Sequence, residues 1–171
     1  MSKIAGLAKT FVKNHDVYVV DKDDMSSVAK EIGCEFNALY DLSSFQKHDC
    51  DVIVFSVSII SFEDVLRNFS KQITAGKLIV DVLSVKTHAK DTMLSALPED
   101  CDILCTHPMF GPESGKYGWN GLPFLYEKVK IKNNQRCDLF LDLWQSERCK
   151  MIEMTCELHD EFAANSQFIT H

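Results

Sequence analysis

The sequence predicts a doubly wound α/β domain with a mostly parallel sheet. Two observations carry this expectation. Short β-branched runs alternate with segments whose apolar residues recur at helical spacing, and the chain has little backbone punctuation. Its seven Gly and four Pro make eleven of 171 residues, below the roughly 12% of average usage. Seven of those eleven lie between Pro108 and Pro123, so one loop holds most of the chain's turn chemistry. With 46% hydrophobic residues the chain is long enough to bury one core.

The elements follow in order. Asp16–Asp21 (DVYVVD) is β-branched and aromatic and ends in an acid, which suits a strand. Met25, Val28, Ala29 and Ile32 then share a helical face that Gly33 closes as a C-terminal cap. Asp51–Val57 (DVIVFSV) is apolar enough for a central strand covered on both faces. Ser61 with Asp64 three residues on resembles a capping box, and Phe62, Val65, Leu66 and Phe69 line the helix it opens. Lys77–Val82 is the next strand, Thr87–Leu97 a helix stopped by Pro98, and Asp102–Thr106 a strand that leads into the Gly/Pro loop. Beyond the loop, Phe124–Ile131 reads as a strand, Cys137–Trp144 as a helix, Lys150–Met154 as a strand and Cys156–His171 as the start of another helix. Strands and helices alternating at this length call for right-handed crossovers.

Charge and composition exclude several partners. The formal balance is 18 − 25 = −7 with no basic stripe, whereas nucleic-acid binding needs clustered Lys and Arg. The longest apolar stretches, such as Val52–Val57, fall far short of the ~20 residues of a membrane span. Neither a signal-peptide core nor an Arg- and Ser-rich transit segment opens the chain, so it reads as soluble and untargeted. Seven Cys without C-x-x-C spacing suggest buried, reduced thiols and no metal site.

In doubly wound folds, ligands bind beyond the carboxyl ends of the strands. Three such ends stand out. Asp21–Lys22 holds the position that reads an adenosine ribose, where an acid suits the diol and a base suits a 2′-phosphate. Asp81–Lys86 (DVLSVK) places Ser84 and Lys86 at the top of the sheet. His107 follows the strand Asp102–Thr106 directly and is locked before Pro108. His15, His48 and His88 read as structural. Ser84 also suits a helix cap, Glu113 and Lys116 a solvated loop pair, and Trp119 a plug that packs the loop down.

From about Gly6 to His171 the chain resembles plant arogenate dehydrogenases, relatives of prephenate dehydrogenase in tyrosine biosynthesis. The residues that carry the resemblance are LAKTFVK (Leu7–Lys13), VSIIS (Val57–Ser61), DVLSVK, THPMFGPESGKYGWNGLPF (Thr106–Phe124) and HDEFAANSQFITH, which begins at His159. The resemblance implies a Rossmann-like fold and an oxidative decarboxylation with NADP or NAD. Hydride leaves the ring carbon bearing the 4-hydroxyl, and loss of carbon dioxide aromatises the ring. His107 is then the imidazole that accepts the hydroxyl proton, and Ser84 the hydroxyl that orients it. Asp21, Lys22, Ser58 and Lys86 are implied on the cofactor side. Gly111, Glu153, Glu157 and His159 are implied on the substrate side, where a carboxylate would favour the ammonium of arogenate over the keto group of prephenate.

The chain departs from this pattern at both ends. Relatives begin with a strand running into GxGxxG, the cradle of the cofactor pyrophosphate, whereas here only MSKIAG precedes Leu7. At the other end, residues 156–171 start the helix that in relatives leads to a helical dimerisation domain carrying a substrate-clamping arginine. The sequence thus reads as one incomplete nucleotide-binding-type domain over 1–171. Three readings compete: an arogenate or prephenate dehydrogenase-type enzyme, a non-catalytic remnant that binds a metabolite or partner, and an incomplete gene model. An unrelated Rossmann-type enzyme such as a methyltransferase leaves the long loop unexplained. The family is plastidial, and a complete chain without a transit peptide would be cytoplasmic. Sheet edges exposed by a missing first strand would favour self-association.

Overall fold

Residues 3–39, 48–110 and 118–168 of the computed structural model are described here. They fall into two compact units, one with residues 3–39 and 48–49 plus Phe110 and Gly118, the other with Cys50–Met109 and Trp119 onward.

In the first unit, α1 (Lys3–Phe11) is followed by β1 (Tyr18–Asp21), α2 (Ser26–Ile32) and β2 (Glu35–Ala38). The two strands pair in parallel from Tyr18↔Glu35 to Asp21↔Ala38. Gly33 ends α2 as expected, at φ 90° in the left-handed region, with its N–H donated to the Ala29 carbonyl. The sequence reading missed β2, because EFNA has one apolar side chain of any size and both its ends are exposed. His48 stacks on Tyr18 with ring centroids 3.6 Å apart, and its Nε2 lies 3.4 Å from a Glu35 carboxylate oxygen. That is the structural place expected of it.

The second unit holds a five-stranded sheet in the order β3 (Val52–Phe55), β4 (Leu78–Asp81), β5 (Asp102–Pro108), β6 (Pro123–Lys130) and β7 (Lys150–Glu153). The pairs β3–β4, β4–β5 and β6–β7 are parallel, and β5–β6 is antiparallel. The fold is therefore α/β with a mostly parallel sheet, as the alternation of elements predicts. Helices α3 (Ile59–Ser70), α4 (Thr87–Ala96), α5 (Asn134–Ser146) and α6 (Cys156–Phe168) follow β3, β4, β6 and β7.

All four residues of β4 are buried, as are five of the first five in β5, so the core lies on these two strands. Phe62, Leu66 and Phe69 of α3 close one side, with Phe55 edge-on to Phe62 and Phe69 at 6.0 and 6.4 Å. On α5, Trp144 is fully buried, stacked on Phe124 at 5.0 Å and met edge-on by Trp119 at 6.3 Å. Trp119 is thus the packing plug that its loop position suggests. Asp102, also buried, accepts the N–H groups of Lys132 and Asn133 at 2.6 and 3.0 Å and fixes the entry to α5, which Asn133 caps.

Three sequence expectations shift. The apolar strand VIVF is the first strand of its sheet, with only Phe55 buried, because β4 is the single neighbour that β3 has among the described residues. Helix α3 begins at Ile59 with Ser58 as its cap, and the Ser58 hydroxyl accepts the Ser61 N–H at 3.3 Å. Ser61 therefore sits inside the first turn. Finally, β5 continues through His107 to Pro108, because pairing with β6 outlasts pairing with β4.

None of the seven cysteines is in a disulfide, with five buried and Cys34 and Cys50 half-buried. Burial pushes the Cys137 and Cys149 thiols up to about 11. A hydrogen bond with Cys156, together with burial, raises Cys105 further. No described helix is long and apolar enough to cross a membrane.

Candidate active site

The second unit brings four segments together at the carboxyl ends of β4 and β5. Asp81 is opposite Cys105 in the parallel register, so Val82–Lys86 and Thr106–Pro108 run on beyond the last pair of the two strands. A buried polar knot ties them. The Lys86 ammonium pairs with the Asp81 carboxylate and donates to the Thr106 carbonyl at 2.5 Å. In return the Thr106 hydroxyl donates to the Asp81 carbonyl at 2.5 Å, and the Leu83 N–H donates to the Asp81 carboxylate at 3.0 Å. Burial pushes the Asp81 carboxyl up, and the charge of Lys86 opposes it. Lys86, implied on the cofactor side, is only 3% exposed and fastens one strand end to the next. Ser84, two residues before it, is exposed on the same segment.

Helix α4 starts immediately afterwards with Lys86 at its N-cap, a residue that gives no side-chain cap. The cap comes from α6. One oxygen of Asp160 accepts the Lys86 N–H and the other accepts the Thr87 N–H, both at 2.9 Å. Partial burial works against ionisation of Asp160, but these two donors and His159 outweigh it and lower the carboxyl to about 2. The same carboxylate lies 2.9 Å from His159 Nδ1. His159 is 4% exposed, and its Nε2 is 2.8 Å from His107 Nδ1, with the two rings edge-on at 5.0 Å. His107 itself is half-buried and held by β6 in register with Leu125.

The acids considered for the substrate side lie close by in the chain. Glu153 ends β7 and accepts the Tyr126 hydroxyl at 3.4 Å. Glu157 opens α6 and pairs with Lys90 at 3.0 Å, and Lys90 also holds Glu127 at 2.9 Å. Glu127 in turn accepts the Cys156 N–H at 2.5 Å. Lys90 therefore joins α4 to both β6 and α6. Gly111, Glu113 and Lys116 lie outside the described residues.

Thus the Asp160 carboxylate links the Lys86 backbone to His159, and His159 meets His107, with Ser84 on the same strand-end segment as Lys86. Asp81 and Asp160 were missed as members of the site. The Ser84 hydroxyl does not cap α4, because the N-cap position falls on Lys86 and Asp160 takes the N–H groups there; the signal for Asp81 was an acid inside an apolar strand. At the end of β1, in the first unit, an Asp21 carboxylate oxygen accepts the Asp23 N–H at 3.0 Å, which fixes the acid at the strand terminus. Lys22 beside it is exposed. Ser58 stands at the N-terminus of α3, twelve residues long, three residues past the end of β3.

Fold and site together define a Rossmann-like nucleotide-binding domain with an imidazole pair at its strand ends. Residues 4–153 match the family described as prephenate dehydrogenase, nucleotide-binding domain. The chain belongs to that family. It is 47% identical to arogenate dehydrogenase 2, chloroplastic, of Arabidopsis thaliana over 172 aligned residues, covering 96% of this chain and 47% of that one. The similarity to arogenate dehydrogenase 1, chloroplastic, of the same plant is also 47%, over 96% of this chain and 26% of the other. The chain thus spans about half or less of the length of these relatives. Among solved structures, Synechocystis arogenate dehydrogenase aligns with a TM-score of 0.77 at 16% identity, covering 94% of this chain and 59% of that one. Prephenate dehydrogenase from A. aeolicus, in complex with hydroxyphenyl propionate and NAD+, aligns at 0.75 and 20% identity, over 91% and 57% of the two chains.

Proposed function

We propose that this chain carries the nucleotide-binding and proton-accepting half of an arogenate or prephenate dehydrogenase-type oxidoreductase. The observation that carries this reading is His107, anchored through Nδ1 to His159 at the carboxyl end of β5. A nicotinamide dinucleotide, NADP or NAD, would supply the hydride acceptor when bound. His107 takes the proton of the substrate's 4-hydroxyl as that carbon gives up hydride, and departure of the ring carboxylate as carbon dioxide leaves an aromatic ring. Ser84 shares the hydroxyl. Glu153 and Glu157 are the carboxylates that would pair with an ammonium on the substrate. The 47% identity to the two plant arogenate dehydrogenases favours arogenate as substrate.

The test is cofactor reduction by the purified chain with arogenate or prephenate and NADP or NAD. Turnover that disappears in His107→Asn supports the reading. A flat trace at high protein concentration, with cofactor still bound in calorimetry, would instead support a binding protein without turnover.

A further inference from the structure

One ring nitrogen of His107, Nδ1, faces His159, and the groups behind that nitrogen form an ordered series. Asp160 is a firm acceptor, since its two oxygens take the N–H groups of Lys86 and Thr87 and its carboxyl stays ionised at neutral pH. A carboxylate can only accept, so the proton between Asp160 and His159 sits on His159 Nδ1. A neutral His159 then has its lone pair on Nε2 and can only accept there, 2.8 Å from His107 Nδ1. The proton of that bond belongs to His107 Nδ1. A neutral His107 is left with its lone pair on Nε2.

We infer that His159 and Asp160 are positioning residues that fix the tautomer of His107, so that its Nε2 is the proton acceptor of the site. This rests on the function proposed above and adds the device that makes His107 a base. Proton transfer from a substrate hydroxyl breaks the O–H bond and forms the Nε2–H bond. The imidazolium then keeps its Nδ1–H donated to His159, whose ring is polarised by the Asp160 carboxylate. No further proton has to move. His159, implied on the substrate side by resemblance, acts in this reading from behind the base.

The experiment is long-range nitrogen–proton NMR of the imidazoles in the full chain labelled with ¹⁵N-histidine, at neutral pH. Wild type is expected to show protonated Nδ1 and bare Nε2 at both His107 and His159. His159→Phe removes the acceptor at similar size, and His107 should revert toward the Nε2–H form that an unconstrained imidazole prefers. His159→Gln restores an acceptor oxygen and should bring back part of the Nδ1–H signal. With arogenate and NADP, His159→Phe is expected to lower kcat by about 10²- to 10⁴-fold, the scale of a wrongly held catalytic imidazole, with KM within about threefold and partial recovery in His159→Gln. A wild-type His107 protonated on Nε2 overturns the inference without any variant, as does an unchanged His107 tautomer in a folded His159→Phe. Correct tautomers with no turnover of either substrate overturn the functional reading and leave the tautomer assignment standing.

Discussion

Asp160 uses one carboxylate for two tasks, closing the N-terminus of α4 and holding the His159 ring. Its carboxyl falls from an ordinary 3.8 to about 2 in the folded chain. A depressed folded value means that the stabilisation is complete above the unfolded value and is lost as pH drops through the folded one. Denaturant midpoints should therefore fall between about pH 4 and pH 2, with a shallower slope in Asp160→Asn, and equal slopes would count against the assignment. Asp160→Ala, which loses the cap, should cost about 0.5–2 kcal/mol in urea unfolding. Deeper inside, Lys86→Met leaves Asp81 ionised or protonated among buried groups with no cation, which should cost roughly 3–5 kcal/mol. Adding Asp81→Asn to that variant should recover most of the loss, and a double variant no better than Lys86→Met would show that the pair is not what holds the two strand ends.

The elements best read from the sequence are those that carry their own ends. Helix α2 shows its stop in Gly33, and α4 its stop in Pro98. What the sequence hides is pairing. Nothing local marks β6 as antiparallel to β5, because direction depends on how the chain returns from the loop before it. β2 escapes because its four residues offer a single sizeable apolar side chain, Phe36. Likewise the start of α3 moves to Ser58, since two serines three residues apart both suit a cap and only the backbone geometry selects one. Helix α5 illustrates how an element is pinned. Its face Cys137, Phe140, Leu141 and Trp144 is buried, and Trp144 stacks on Phe124 of β6. Trp144→Ala should cost about 3–5 kcal/mol by the cavity it opens, read as a lower thermal midpoint, and a loss below about 1 kcal/mol would mean that the helix collapses into the space.

Across the whole chain, the strand-end positions of the catalytic candidates His107 and Ser84 were legible because each follows an apolar run. Asp160 was not, because its partners Lys86 and Thr87 lie 74 and 73 residues away. Distance along the chain also governs association. Among the described residues β3 has β4 as its one strand partner, and an unpaired apolar edge can pair with another chain. Elution volume should accordingly shift with concentration, and Val54→Lys should reduce the shift. A wild-type peak that stays put over a wide concentration range would count against an adhesive edge. The long-range cap has a temporal consequence as well. Contacts between distant residues form after local ones, because the intervening chain must first be closed into a loop. During refolding, then, α4 and the strand pair β4–β5 can form while α6 is still undocked, and His107 waits for His159. Circular dichroism should regain its helical signal before the His107 resonance reaches its final position, so His107 settles after the strand pair that carries it.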